Sequence, residues 1–186
     1  MIVSDIYTTA PTGELSPEQQ EVFSALEQLN IPYERVAHDW ANTMEDCKAI
    51  SAVLGCDVCK NLVLCNRQKT QFYLLTMPSD KPFYTKDLSK QIGSSRLSFA
   101  SAESMEELLR VQPGSASILS LLFDTEHKVQ LVMDQETKSC DFFACHPCKS
   151  TGTLKLKTDD ILNVFLPHTG HEPMVVDLPR YEEEQQ

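Results

Sequence analysis

Four short stretches of the sequence carry groups that can act on a ligand, and each lies where an apolar run begins or ends. They are Lys60-Asn61, Pro113-Gly114-Ser115, Asp134 and His146-Pro147. Lysine supplies a cation, asparagine an amide, and histidine a group that titrates near neutral pH. Residues at the ends of strands can converge on one cleft, so we expect these groups to face a common cavity. The alternative for Lys60 is a lysine that only keeps a sheet edge polar.

Two cysteine pairs form a second candidate site. Cys56/Cys59 and Cys145/Cys148 both have the C-x-x-C form, and four thiolates from two such pairs make a tetrahedral zinc site. The two pairs lie much further apart in the sequence than zinc-knuckle pairs do. We therefore expect no metal and keep zinc binding as an alternative.

Several common catalytic motifs are missing from the sequence. It contains no P-loop, no G-x-G-x-x-G and no G-x-S-x-G. These absences argue against nucleotide-cofactor sites of those types and against a serine hydrolase of the nucleophile-elbow type.

The charge of the chain is strongly acidic but unevenly distributed. A formal net charge of −11 argues against a general nucleic-acid coat, which needs a basic face. Residues 60–96, however, hold seven basic residues and only two acidic ones, Asp80 and Asp87. This segment predicts either a small, directed contact with phosphates or an ordinary solvated face.

Length and composition predict one domain. The chain has 186 residues, of which 41% are hydrophobic and 23% charged, and no apolar run is long enough to span a bilayer. We expect a flexible N-terminal arm over 1–14, a single domain over 15–178 and an acidic tail over 179–186. No secretory leader is recognisable, so we expect a cytoplasmic protein with mostly free thiols.

The apolar pattern predicts short helices mixed with hairpin strands. Capped helices are expected to begin at Ser16-Pro17 and Thr43, a third to span Thr85 to Ile92, a fourth Ser104 to Leu109, and a last one to follow Thr158. Strands are expected over 33–38, 62–64, 72–75, 118–123, 129–133, 140–145 and 174–176. This order favours an α+β fold, with helices packed around a mixed, largely antiparallel sheet.

Taken in order, several motifs resemble those of the YbaK/prolyl-tRNA editing domain family. They are Lys60-Asn61-Leu62, Arg96-Leu97-Ser98-Phe99-Ala100-Ser101, Pro113-Gly114-Ser115, Asp124-Thr125-Glu126-His127, His146-Pro147 and Gly170-His171-Glu172-Pro173. Within the family, the chain is most similar to the freestanding ProX-type (PrdX-type) proteins. The resemblance covers about residues 15–178 and is carried by the ordered set, since each motif alone is weak.

The resemblance implies a hydrolase that needs neither a metal nor an organic cofactor. Its substrate would be mischarged tRNA, most simply alanyl-tRNA(Pro), bound by its acceptor end. Prolyl-tRNA synthetase is an expected partner, and a membrane is not. Deacylation of cysteinyl- or seryl-tRNA and a non-catalytic tRNA-binding or synthetase-associated module are the alternatives.

The resemblance also implies the site residues. Lys60, Asn61, Gly114 and His146 match the family's catalytic positions, and the substrate-binding candidates are Thr43, Met44, Arg96, Ser98, Ser115 and Asp134. The glycine would let backbone N–H groups stabilise an oxyanion, an effect of about 3–4 kcal/mol per donor. Water would be the nucleophile, and a small pocket would exclude proline by size.

Two departures from the family pattern weaken the assignment of His146. Ala144-Cys145 stand where Asn-Phe is usual before His-Pro, and Trp40-Ala41 replace a proline-rich step before Thr43. The equal alternative for His146 is a structural histidine, hydrogen-bonded at a strand end. For His127 and His171 we expect structural roles in a turn and a cap, whereas Asp134 either orients the site or only ends a strand.

Overall fold

Two β-sheets form the framework of the chain, whose computed structural model describes residues 1–41 and 43–181. The strands are β1 (Tyr33–Ala37), β2 (Lys60–Cys65), β3 (Phe72–Met77), β4 (Ser98–Phe99), β5 (Val129–Asp134), β6 (Phe142–Cys145), β7 (Gly152–Lys157) and β8 (Met174–Val176). One sheet has the order β1-β7-β6 and the other β4-β2-β3-β5-β8. The first is antiparallel, whereas β3, β5 and β8 of the second run parallel.

Short helices connect and cover these strands. They are α1 (Pro17–Gln28), α2 (Met44–Leu54), α3 (Thr85–Ile92), α4 (Ala102–Leu109), α5 (Gln135–Ser139), α6 (Thr158–Asp160) and α7 (Leu166–Thr169), with a 3-10 helix over Ile118–Phe123 and a π-helical turn over Ile161–Phe165. The α+β class predicted from the sequence is confirmed. Among the described residues, no helix has both the length and the apolar character to cross a lipid bilayer.

Side-chain capping sets the predicted helix starts. Ser16 accepts a hydrogen bond from the Gln19 amide, and Thr43 accepts one from the Asp46 amide; the side chains of Gln19 and Asp46 close both capping boxes. Gly55 ends α2 in the left-handed region at φ 60°, where glycine avoids the steric cost of a Cβ. These local signals explain why both helices begin where the sequence predicts.

The strand predicted over 118–123 is wrong. This segment is a buried 3-10 helix, in which the Ser117 hydroxyl accepts a hydrogen bond from the Leu119 amide. An unbroken apolar run has no period that separates a buried strand from a buried helix. As a result, β5 does not form the expected hairpin with 118–123 and pairs instead with β3 in parallel.

The N-terminal segment contacts β1. Val3 forms a bridge with His38, and Tyr7 forms one with Arg35. The segment predicted as a flexible arm thus adds short antiparallel contacts to the edge of the three-stranded sheet. Of the predicted acidic tail, residues 182–186 lie outside the described part of the chain.

The five-stranded sheet separates two apolar clusters. Its inner face, which carries Val63, Leu74 and Leu131, packs with residues of the three-stranded sheet. Its opposite face, called here the α3 face, carries Leu64, Leu75 and Met77, which pack with Leu88 of α3. Alternation of side chains along β2 and β3 assigns each residue to one face.

The two sheets are joined immediately before β2. The Cys59 amide donates to the Ala144 carbonyl at 2.8 Å, and the Ala144 amide donates to the Asp57 carbonyl at 3.1 Å. These bonds attach residues 57–59 to β6 of the three-stranded sheet. The next residue, Lys60, is already part of the five-stranded sheet.

A buried lysine joins four segments at this end of the sheet. The ammonium of Lys81, whose side chain is 0% exposed, lies 3.0 Å from both carboxylate oxygens of Asp134 and 2.9 Å from Glu136 Oε1. It also donates to the carbonyl of Leu178 at 2.7 Å. The backbone carbonyl of Lys81 in turn accepts a hydrogen bond from the Lys60 ammonium at 2.8 Å.

We expect Lys81→Met to lower the free energy of unfolding by about 3–5 kcal/mol, because it leaves the carboxylate of Asp134 buried without its cation. Urea unfolding followed by circular dichroism measures this loss. Lys128→Met is the matched control, since Lys128 pairs with Glu126 in an exposed ion pair. Equal urea midpoints for the two variants would contradict the prediction.

Candidate active site

Lys60 opens β2 with its side chain on the α3 face. It pairs directly with Met77, whose side chain packs in the cluster on that face. Partial burial lowers the pKa of Lys60, and the neighbouring Asp80 opposes that shift. An ammonium has three N–H donors, and among the described residues only the Lys81 carbonyl accepts one of them. Two donors therefore remain for a ligand.

Asn61 lies on the other face of the same strand. Its Oδ1 accepts a hydrogen bond from the Thr76 hydroxyl at 2.8 Å, and its Nδ2 donates to the Cys59 carbonyl at 3.3 Å. The side chain therefore fixes the junction between the sheets, and it does not lie beside the Lys60 ammonium.

Gly114 lies in an exposed turn with φ 85°. A Cβ at this position would meet no atom within 4 Å, so backbone conformation, and not space, requires the glycine. The next residue, Ser115, is buried and its amide donates to the Gln112 carbonyl at 2.9 Å. Ala116 then enters the cluster on the inner face of the five-stranded sheet.

Lys60 and Gly114 approach the sheet from different sides. The lysine side chain lies on the α3 face, whereas the chain after Gly114 packs on the inner face. A cavity of about 200 Å³ adjoins the turn and is lined by Ser115, Trp40 and Cys148 among others. Neither Lys60 nor Gly114 lines this cavity or any of four further cavities among the described residues, so none of these five is the predicted common cavity.

His146 belongs to a hydrogen-bonded chain of two histidines and a threonine. Its Nδ1 lies 2.9 Å from the Gly152 carbonyl and 3.1 Å from the Thr153 hydroxyl. The same hydroxyl lies 2.8 Å from Nε2 of His38, whose Nδ1 lies 2.7 Å from the Asp39 carbonyl. The chain connects β1, β7 and the end of β6.

These contacts assign the protons on both rings. A carbonyl oxygen only accepts, so Nδ1 of each histidine carries the proton and donates it, to Asp39 in one case and to Gly152 in the other. Nε2 of His38 then accepts the hydrogen bond from the Thr153 hydroxyl. Nε2 of His146 has no hydrogen-bond partner among the described residues, and it is left as an acceptor for a ligand or a water.

Burial keeps both rings neutral. Desolvation lowers the pKa of His146 from 6.5 to about 4, the Gly152 carbonyl opposes the shift, and the nearby His38 adds to it. Desolvation also lowers the pKa of His38, against the opposing effects of the Asp39 carbonyl and the charges of Asp39 and Asp46. At neutral pH, His146 is thus a hydrogen-bond acceptor and not a cation.

The other predicted binding residues are dispersed. Thr43 caps α2, and the adjacent Met44 side chain is exposed. Arg96 is exposed ahead of β4, and Ser98 within β4 lies 3.6 Å from the sulfur of Cys65. Asp134 is fully buried in the ion pair with Lys81, which gives it a structural position at the end of β5.

The four cysteines of the C-x-x-C pairs are free thiols. Desolvation raises the pKa of Cys56 to about 11 and raises those of Cys59, Cys145 and Cys148 as well. Within residues 1–41 and 43–181, no group of three or more His, Cys, Asp or Glu side chains is arranged to hold a metal ion. The described side chains therefore offer no ligand set for zinc.

Sequence reasoning missed the residues that support Lys60 and His146. Lys81 stands in a polar loop between Asp80 and Pro82, where nothing in the sequence distinguishes a buried lysine from an exposed one. His38 and Thr153 lie on β1 and β7, and β7 itself was not predicted. The one available signal was His38 at the end of a predicted strand.

Because His146 stays neutral when folded but takes up a proton when unfolded, stability should fall as pH drops from about 6.5 towards 4. Between pH 7 and pH 5 the expected loss from this group is about 2 kcal/mol. His146→Gln should flatten the pH dependence of the free energy of unfolding, as measured by urea titration.

Ser150→Ala is the control for this measurement. Ser150 is buried in the same loop and donates to the Ala41 carbonyl, but it does not titrate. Its loss should destabilise the protein equally at both pH values. The same pH dependence in His146→Gln and in the native protein would contradict a neutral, buried His146.

Two comparisons with known proteins agree on one family. The sequence model of the aminoacyl-tRNA editing domain matches residues 38–164. The prolyl-tRNA editing protein ProX of Acetoanaerobium sticklandii is 30% identical over 143 residues, which cover 77% of this chain and 87% of that protein. The prolyl-tRNA synthetase associated domain-containing protein 1 of Mus musculus is 32% identical over 169 residues, 89% of this chain and 97% of that protein.

The fold has a counterpart among solved structures. The crystal structure of a candidate trans-editing enzyme for prolyl tRNA synthetase superposes with a TM-score of 0.65 over 89% of this chain and 98% of that one, at 17% identity. At this identity the likeness concerns the fold alone. With the matched domain extending from the end of β1 into the last helical segment, the chain belongs to the aminoacyl-tRNA editing domain family.

Proposed function

We propose that this chain is a trans-editing hydrolase that removes alanine from mischarged tRNA(Pro) by water attack on the aminoacyl ester. The observation that carries the proposal is the match of residues 38–164 to the aminoacyl-tRNA editing domain. The relative from Acetoanaerobium sticklandii is named for prolyl-tRNA editing, which supports proline-specific tRNA as the substrate. Hydrolysis of an ester is the reaction of this family, and a deacylase is the activity expected of a member.

Lys60 is proposed to bind the 3′ end of the tRNA. Its ammonium is held in place by the Lys81 carbonyl and keeps two donors for phosphate or ribose oxygens. The Lys81–Asp134 pair behind it is fully buried, which makes the anchoring carbonyl rigid. A positioned cation of this kind gains more from an anionic ligand than a freely moving one, because less side-chain entropy is lost on binding.

His146 is proposed to accept a hydrogen bond from the attacking water. The proton on its Nδ1 is committed to Gly152, so Nε2 presents a lone pair. Its lowered pKa keeps that lone pair available throughout the neutral range. Gly114 is given no part in this step, because its turn approaches the sheet from the side opposite Lys60 and the Ser115 amide already donates to the Gln112 carbonyl.

Selectivity is proposed to rest on size. Attraction through a single methylene changes the free energy of binding by only about 1–3 kcal/mol. Steric exclusion therefore discriminates between alanine and proline better than favourable contacts do. A site that admits a methyl group and clashes with a pyrrolidine ring would protect correctly charged prolyl-tRNA. Association with prolyl-tRNA synthetase and a cytoplasmic location stay predictions.

A panel of charged tRNAs tests the activity and the choice of substrate. We expect purified protein to release alanine from alanyl-tRNA(Pro) at least about tenfold faster than proline from prolyl-tRNA(Pro). Release is measured as the loss of acid-precipitable radioactivity over time. Cysteinyl- and seryl-tRNA are tested in parallel. Faster release of cysteine or serine would change the substrate, and release no faster than in buffer would leave a non-catalytic tRNA-binding module.

We expect Lys60→Ala to lower kcat/KM for alanyl-tRNA(Pro) by about 10–100-fold, the loss of one or two charge-assisted hydrogen bonds. The fold should persist, because the side chain is only half-buried. Lys138→Ala removes an exposed lysine from α5 and serves as the control, with circular dichroism confirming that both variants fold. Full activity of Lys60→Ala would remove Lys60 from the site.

A further inference from the structure

Two phenylalanines lie together at the exposed edge of the five-stranded sheet. Phe99 of β4 keeps 61% of its surface exposed, the largest exposed fraction of any described aromatic side chain. The ring of Phe83, just before α3, lies 6.2 Å from it in an edge-to-face arrangement. Packing in the core does not explain why the Phe99 ring is exposed at a sheet edge. Its exposed face is available to stack against a planar group of a ligand.

The register of the sheet places these rings on the same face as Lys60. Phe99 pairs with Leu64, so the two side chains share the α3 face. Lys60 lies four residues before Leu64 on β2 and has the same parity. At about 3.3 Å per residue, the Lys60 backbone is about 13 Å from the position opposite Phe99.

Three exposed bases lie close to the two phenylalanines in the sequence. Lys86 and Lys90 are exposed on successive turns of α3, and Arg96 is exposed just before β4. The Lys86 ammonium lies 5.8 Å from the centre of the Tyr84 ring. Among the described residues none of the three bases forms a salt bridge.

The two carboxylates of this segment are already engaged by other side chains. Both oxygens of Asp80 accept hydrogen bonds from Arg180, and Asp87 accepts one from the Tyr181 hydroxyl at 2.7 Å. The local positive charge is therefore only partly offset, although the chain as a whole carries −11. A concentrated basic surface on an acidic protein attracts a polyanion at this place and repels it elsewhere.

Open aromatic rings among unpaired bases suit single-stranded nucleic acid. Bases stack on the rings irrespective of sequence, while phosphates contact the cations. An acidic peptide would use the cations but has no flat groups for the rings. A purely apolar partner would leave the three cations buried and unpaired, at a large cost.

We propose that Phe83, Phe99, Lys86, Lys90 and Arg96, called here the edge platform, bind the unpaired nucleotides at the 3′ end of tRNA. The proposal rests on the proposed function, since Lys60 on the same face would then hold the terminal nucleotide. The roughly 13 Å along β2 between Lys60 and the position opposite Phe99 leaves room for the nucleotides that precede the terminal one.

Binding of uncharged tRNA(Pro) measured by fluorescence anisotropy tests the platform without any reaction. We expect Phe99→Ala to weaken binding by about 5–100-fold, the effect of one lost stacking contact. A tRNA shortened by its last three nucleotides should bind the native protein and Phe99→Ala equally well. Phe142→Ala is the matched control, because Phe142 is 46% exposed on the three-stranded sheet.

Removing two bases of the edge platform is a separate test in the same assay. Lys86→Ala combined with Lys90→Ala should reduce the slope of log Kd against log salt by about one to two. Lys48→Ala combined with Lys138→Ala removes the same charge from α2 and α5 and should leave that slope unchanged.

Three outcomes would overturn the platform. One is that Phe99→Ala weakens binding of the intact and of the shortened tRNA equally, and another is that it binds intact tRNA as tightly as the native protein does. The proposal would equally be rejected if the platform bound an acidic peptide while tRNA binding did not depend on the tRNA 3′ end. If the expected binding pattern appears but no charged tRNA is hydrolysed, the platform stands and the proposed deacylase activity falls.

Discussion

The ammonium of Lys81 is the interaction on which this end of the molecule depends. A buried cation without partners would cost several kcal/mol, so Asp134, Glu136 and the Leu178 carbonyl must all be in place around it. These partners come from the end of β5, from α5 and from the segment after β8. The same residue supplies, through its backbone, the acceptor that orients Lys60. One desolvated charge thus links the C-terminal segment to the residue that the family resemblance assigns to the reaction.

Local signals in the sequence predicted much of the fold. Ser16 and Thr43 predict helix starts because their hydroxyls accept hydrogen bonds from backbone amides three residues later, and these local bonds do not depend on tertiary contacts. The run at 118–123 gave the wrong element, because its burial is decided by distant neighbours and not by its own pattern. The parallel pairing of β5 with β3 was unpredictable for the same reason: strand partners are chosen by the packing of the whole sheet.

The sequence offers residue types for the candidate site but not the directions of their side chains. Lys60 and Asn61 are neighbours in sequence, and because side chains alternate along a strand they serve opposite faces of the sheet. The role of His146 depends on the nearby Thr153 and on His38, which is remote in sequence and meets Thr153 only when β1 pairs with β7. Histidine protonation is set by such neighbours, so the sequence alone left a catalytic and a structural reading equally open.

The junction at residues 57–59 has a mechanical consequence. Because Cys59 is bonded to one sheet while the next residue begins a strand of the other, the two sheets cannot slide past each other without breaking backbone hydrogen bonds. A pocket excludes a ligand by size only if it is rigid, because a flexible pocket would accommodate one extra methylene at little cost in free energy. A rigid junction at residues 57–59 is therefore what a protein needs if it is to discriminate sterically between two small amino acids.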